Sequence, residues 1–107
     1  MSLNHIALLG RLGQAPELRY TQDGQPVTRV LLLVDQVEGQ GQDAIRVIAR
    51  RELAESLVHE VKKGDLAVVE GRLLMRTYLS RDGHRHKVAE VEAERLSRVA
   101  TGDPGAI

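Results

Sequence analysis

The stretch Arg51–Tyr78, RELAESLVHEVKKGDLAVVEGRLLMRTY, changes its apolar period at Gly64 and so joins a helix to a strand. Before the glycine, Leu53, Ala54, Leu57, Val58 and Val61 recur at the spacing that gathers apolar side chains on one helical face. Lys62 and Lys63 read as cations of the last turn, where they complement the macrodipole, and Gly64 as a left-handed stop. After the glycine the period is two. Ala67, Val69, Gly71, Leu73 and Met75 share one side, small and apolar as a core face requires. Leu66, Val68, Glu70, Arg72, Leu74, Arg76 and Tyr78 share the other, which turns basic and then aromatic. A strand dry on one face and carrying Arg-x-x-x-Arg-x-Tyr on the other suits a polyanion with flat bases.

Upstream, Leu3–Leu12 alternates, with Asn4, Ile6, Leu8, Gly10 and Leu12 on one face and His5, Ala7, Leu9 and Arg11 on the other. Gly13-Gln14-Ala15-Pro16 interrupts this strand, and Glu17–Thr21 resumes it as a bent continuation. Asp23-Gly24 is a turn signal, and Val27–Val34 reads as a largely buried second strand. The polar loop Glu38–Gln42 leads to a third strand over Ala44–Arg51, with Ile45, Val47 and Ala49 inward and Arg46, Ile48 and Arg50 on the opposite face. Downstream, Asp82-Gly83 is a second hairpin turn. The segment Arg85–Val99 has the Glu and Ala content of a helix, but the turn before it and its Ala89, Val91, Ala93 alternation predict a strand returning along the long one. Strand, strand, strand, helix, strand, strand is the order of an all-β, five-stranded OB-fold barrel with its one helix between strands 3 and 4. The barrel is expected over residues 1–99, and residues 100–107 as a short flexible C-terminal tail.

Composition narrows the function classes. At 107 residues the chain holds one domain, with 42% hydrophobic and 28% charged residues. No apolar run is long enough to cross a bilayer, and Met1-Ser2-Leu3-Asn4 lacks the basic region of a secretory signal, so a cytoplasmic protein without membrane contact is expected. The absence of cysteine excludes disulfides, thiol catalysis and thiolate zinc sites. A formal net charge of zero, and aromatics limited to Tyr20 and Tyr78, confine any nucleic-acid site to a local basic surface. His84 and His86 share a strand face but lack a third ligand, so they read as a solvated hairpin and no metal or cofactor is expected. No Ser-His-Asp set is suggested, and the glycines around Gly10 and Gly13 do not precede a helix, so no enzyme is expected.

Four passages carry a resemblance to a known family. They are Leu3-Asn4-His5-Ile6-Ala7-Leu8-Leu9-Gly10-Arg11-Leu12; then Pro16-Glu17-Leu18-Arg19-Tyr20-Thr21 with Gly24 and Val27; then Leu53-Ala54-Glu55 with Val61-Lys62-Lys63-Gly64-Asp65; and Val69-Glu70-Gly71-Arg72-Leu73 running to Arg76-Thr77-Tyr78, with Asp82-Gly83 and Val91 beyond. Over about residues 3–98 the chain resembles the bacterial single-stranded DNA-binding proteins. The resemblance implies non-sequence-specific binding of single-stranded DNA in replication, repair or recombination. It also implies a homotetramer, or otherwise a dimer, and contacts with replication or repair proteins. By the same resemblance Tyr78 occupies one of several aromatic positions of the sheet. The aromatic positions of the third strand are Ala44 and Arg50 here, and that of the second falls at Val37 or Glu38. The chain ends at Ile107 with one nearby Asp, so the acidic, partner-recruiting tip common in the family is expected to be missing.

The candidate nucleic-acid-binding residues are Arg11, Arg46, Arg50, Arg72, Arg76 and Tyr78. Strand alternation alone puts Arg72, Arg76 and Tyr78 on one face. Arg50 reads as a guanidinium that stacks on a base or as a solvated charge, and Arg19 as a phosphate contact or an ion pair with an acidic neighbour. Lys62 and Lys63 are explained by the helix end, and Tyr20 by packing near the turn. Glu90, Glu92 and Glu94 share a face that meets solvent or the basic residues of a neighbouring strand or subunit. A second reading of a different class stays open: an OB-fold adaptor of the primosomal or paralogue type, acting mainly through protein contacts with weak nucleic-acid binding.

Overall fold

The computed structural model describes residues 1–100. Its one helix, α1 (Arg51–Glu60), buries Ala54 and Leu57, and the chain leaves it through Val61, which turns extended and enters the core. The exit is tied by the Val61 amide donating to the Leu57 carbonyl at 3.1 Å and the Lys62 amide donating to the Asp65 carboxylate at 3.0 Å. Gly64 takes φ +90°, the left-handed turn that launches the next strand. Lys62 and Lys63 therefore stand exposed beyond the helix, not in its last turn, where the basic residue is His59.

Around the helix lie β1 (Ile6–Leu12), β2 (Glu17–Tyr20), β3 (Pro26–Asp35), β4 (Gln42–Arg50), β5 (Leu66–Leu79) and β6 (Arg85–Arg98). The sheet runs β1-β5-β6-β4-β3-β2 and closes on itself where Arg11 and Leu12 of β1 meet Leu33 and Leu32 of β3. β1 and β2 are the two halves of one strand bent at Gly13–Pro16, which reconciles six segments with a five-stranded OB-fold barrel. All pairings are antiparallel except β4–β6, the neighbours that the α1 crossover makes possible. Both Asp-Gly turns close hairpins: the Thr21 amide bonds the Gln25 carbonyl at 2.9 Å, and the Ser80 amide the His84 carbonyl at 2.8 Å.

The core gathers the inward positions of every long strand: Leu12, Val30, Leu32, Val47, Ala49, Ala67, Val69, Val91 and Leu96, with Leu57 of α1 plugging one end. Each fully buried aliphatic side chain contributes about 1.5–3 kcal/mol. Buried Thr28 donates its hydroxyl to the Ala54 carbonyl at 3.1 Å and so pins the helix to β3.

Three further expectations change. First, Leu73 and Met75 do not reach the core; they are 42% and 55% exposed. β1 covers β5 only as far as Ile6 opposite Gly71; beyond it β5 pairs with β6 alone, and from Met75 opposite Ala89 outward the two strands form a two-stranded arm. Second, Ile48, on the outward face of β4, is fully buried, because it sits between Arg29 of β3 and Glu92 of β6, whose long stems shield it. Third, Tyr20 is 64% exposed and does not pack at its turn. Segment 85–98 is a strand, its hairpin pairing to β5 outweighing helical propensity. The expected flexible tail, apart from Ala100, lies outside the described residues.

Candidate nucleic-acid interface

The register of three adjacent strands builds one polar surface on the outside of the barrel. β6 lies between β4 and β5, with Glu90 opposite Arg46 on one side and Leu74 on the other, and Glu92 opposite Ile48 and Arg72. Two carboxylates thus stand between two rows of arginines. Glu92 Oε2 accepts from Arg72 at 3.1 Å and its Oε1 lies 3.5 Å from Arg50 Nε, so one carboxylate links arginines of two strands. Glu90, only 2% exposed, accepts from Arg76 Nε at 2.6 Å and from the Tyr78 hydroxyl at 3.4 Å. A carboxylate this buried is tolerable only because both partners are present. Tyr78 is 39% exposed, and the Arg46 guanidinium lies 5.4 Å from its ring centroid. This cation–π contact holds the part-exposed ring on the face.

Five of the six candidate residues, Arg46, Arg50, Arg72, Arg76 and Tyr78, therefore converge. Arg11 does not join them. It lies on β1 opposite Leu66 and Leu33, and donates to the Gly64 carbonyl at 3.1 Å. Arg19 is ion-paired with Glu17 at 2.8 Å, the acidic-neighbour alternative. The unbroken face of Glu90, Glu92 and Glu94 is divided by a β-bulge at Glu70/Gly71, which leaves Glu94 unpaired in the ladder and exposed, while Glu90 and Glu92 meet the basic residues of both neighbouring strands. At the bulge β5 and β6 approach closely. A Cβ on Gly71 would fall 2.0 Å from the Glu92 carbonyl oxygen.

Two residues of this surface, Arg29 and Gln14, have no place among the sequence-derived candidates. They line an open hollow of about 290 Å³ together with Leu31, Arg46, Tyr78 and Glu90. A second hollow of about 510 Å³ shares Gln14 and Arg29 and extends to Glu17 and Arg19, so the two hollows adjoin at these residues. Arg29 has no ion pair among the described residues, and neither has Arg46. Its signal in the sequence is a lone charge inside the apolar run Val27–Val34.

Arg29, Arg46, Arg50, Arg72 and Arg76 against Glu90 and Glu92 leave a local net charge of +3 on a chain whose formal total is zero. At the far end of the arm, the His84 ring sits 2.9 Å from the Asp82 carboxylate. The Ser80 hydroxyl, and then the His84 amide and ring, hold the Asp82 carboxyl below its usual range. Among the described residues no cluster of His, Cys, Asp or Glu could hold a metal ion, and no helix is long and apolar enough to cross a membrane.

The model of the single-strand binding protein family matches residues 3–99. The chain belongs to the single-strand binding protein family. Relatives in that family include single-stranded DNA-binding protein 3 of Listeria innocua, 38% identical over 97% of this chain and 68% of its own length. Single-stranded DNA-binding protein A of Bacillus subtilis is 41% identical over 86% of this chain and 56% of its own length. A single-stranded DNA-binding protein of Halalkalibacterium halodurans is likewise 41% identical over 86%, covering 58% of its own length. The chain thus spans between 56% and 68% of the length of these family members.

Proposed function

We propose that this chain binds single-stranded DNA without sequence preference and performs no chemistry on it, protecting the strand during replication, repair or recombination in the cytoplasm. The observation that carries the proposal is the convergence of Arg46, Arg50, Arg72, Arg76 and Tyr78 beside a hollow lined by Arg29. Guanidiniums spread over three strands neutralise successive phosphates, and Tyr78 offers a ring on which one base stacks. The relatives' names, all single-stranded DNA-binding proteins, support the same ligand.

With one stacking ring per chain, a long strand needs several copies, and we propose a homotetramer, or otherwise a dimer. β1 has a ladder partner on one side only from Ile6 to Gly10, and Leu9 on it is 54% exposed. The outer part of β5 adds Leu73, Met75 and Leu79 on the face opposite Arg72, Arg76 and Tyr78. An open strand edge and apolar side chains of this kind favour association with another chain. The same apolar residues are what favours the adaptor reading, in which replication or repair proteins occupy that face.

The test is fluorescence anisotropy of a labelled oligo-dT titrated with the protein and with Tyr78→Ala. Stacking is worth about 1–3 kcal/mol per base, so the variant should bind about tenfold or more weakly. Equal affinity would remove Tyr78 from the site, and no binding by either protein would favour the adaptor.

A further inference from the structure

Glu92 occupies the place between two arginines where a phosphate would sit. Its Oε1 lies 3.5 Å from Arg50 Nε and its Oε2 3.1 Å from Arg72, and these arginines come from strands on opposite sides of β6. The three side chains differ in exposure: Glu92 is 20% exposed, while Arg50 and Arg72 are 36% and 52% exposed. The outer parts of both guanidiniums therefore face solvent above a carboxylate that spans them.

Glu90 offers a contrast on the same strand. It is almost fully enclosed and held at 2.6 Å by Arg76, so its charge is part of the folded framework. Glu92 makes longer contacts in a wetter setting, and such pairs contribute little to stability. Its negative charge acts instead on whatever approaches Arg50 and Arg72 from outside.

We infer that Arg50 and Arg72 form a seat for one phosphodiester group of a nucleic-acid strand, and that Glu92 is the built-in competitor for it. This rests on the nucleic-acid reading above. A backbone phosphate entering the seat takes the Arg72 hydrogen bond and the Arg50 ion pair that Glu92 holds in the free protein, and it does so against the repulsion of that carboxylate. Glu92 therefore lowers the affinity for the strand and keeps the complex readily reversible. It also keeps the two guanidiniums extended toward each other, which makes it a positioning residue for them as well as a brake.

The experiment measures oligo-dT affinity by anisotropy over a salt series for the wild type, Glu92→Gln and Glu55→Gln. Glu55 is exposed on α1 and has no ion pair among the described residues, so it controls for the global change of charge. Glu92→Gln keeps the shape and a hydrogen-bond acceptor while removing the charge. It should bind at least about fivefold more tightly at low salt, the effect of one charge acting at water-like dielectric. It should also steepen the slope of log K against log salt by about 0.7, one further phosphate's worth for a single strand. Glu55→Gln should stay within about twofold of the wild type. Should Glu92→Gln fold poorly, as judged by its melting curve, Glu92→Val carries the test, since a β-branched side chain suits a strand. Unchanged or weaker binding by the folded Glu92 variant, or equal tightening by Glu55→Gln, overturns the inference while leaving the nucleic-acid reading intact. Absence of wild-type binding at low salt overturns both.

Discussion

Replacing Arg76 with alanine should damage the fold before it damages binding. The Arg76 guanidinium is the strong partner of Glu90, at 2.6 Å, and Glu90 is 2% exposed. Breaking a buried pair by removing one member costs about 3–5 kcal/mol, because a charge is left without compensation. The Tyr78 hydroxyl, 3.4 Å from the other carboxylate oxygen, remains in place and puts Arg76→Ala at the lower end, about 3 kcal/mol. Domains of this size are stable by about 5–15 kcal/mol, so the loss is a large share of the whole. With a urea m-value of about 1–3 kcal/mol/M, the unfolding midpoint should fall by at least about 1 M. The assay is urea unfolding followed by far-ultraviolet circular dichroism at fixed protein concentration, since self-association would otherwise shift the midpoint. Adding Glu90→Gln to Arg76→Ala removes the stranded charge and should recover at least half of the loss. A midpoint for Arg76→Ala within about 0.3 M of the wild type would refute the reasoning, as would a double variant no more stable than the single one. The practical consequence is that lost DNA binding in Arg76→Ala cannot be assigned to a phosphate contact without the double variant beside it.

Gly71→Ala places a Cβ 2.0 Å from the Glu92 carbonyl oxygen, a backbone atom that cannot move without opening the bulge. It should cost about 3 kcal/mol, visible as a lower melting temperature, and an unchanged melt would contradict the close approach. Arg51, with φ +56°, begins α1 in the left-handed region, at a cost of roughly 1–2 kcal/mol for a side-chain-bearing residue. Arg51→Gly should relieve that strain and, after glycine's own entropy cost of about 0.5–1 kcal/mol, raise the melting temperature by about 4 °C; a fall would show that Arg51 makes a compensating contact.

Much of the fold is legible because local signals agree. The apolar spacing of Leu53 to Val61 and the switch of period after Gly64 fix the helix and the long strand, and Asp82-Gly83 directs β6 back along β5 in spite of its helical composition. Alternation also places Arg72, Arg76 and Tyr78 on one face. What alternation cannot supply is coverage. It sorts Leu73 and Met75 to the inner side, but whether anything lies over that side depends on how far β1 pairs along β5, and β1's ladder ends at Ile6. Nor does it supply the register between strands distant in sequence. The pairing of Glu90 and Glu92 with arginines of both β4 and β5 follows from the parallel β4–β6 contact and from the bulge at Glu94, for which Gly71 is the one local sign. Arg29 shows the same limit from the other direction. Its lone charge in an apolar strand is visible in the sequence, but its place between two hollows is a property of the closed barrel.

The central claim is that a local charge of +3, on a chain whose formal total is zero, binds the backbone of a single strand. The salt dependence of oligo-dT affinity measures that charge directly, because each neutralised phosphate contributes about 0.7 to the slope of log K against log salt. Binding that weakens with salt at a slope of about −2 is the predicted result. A slope near zero, or no binding even at low salt, would contradict the account.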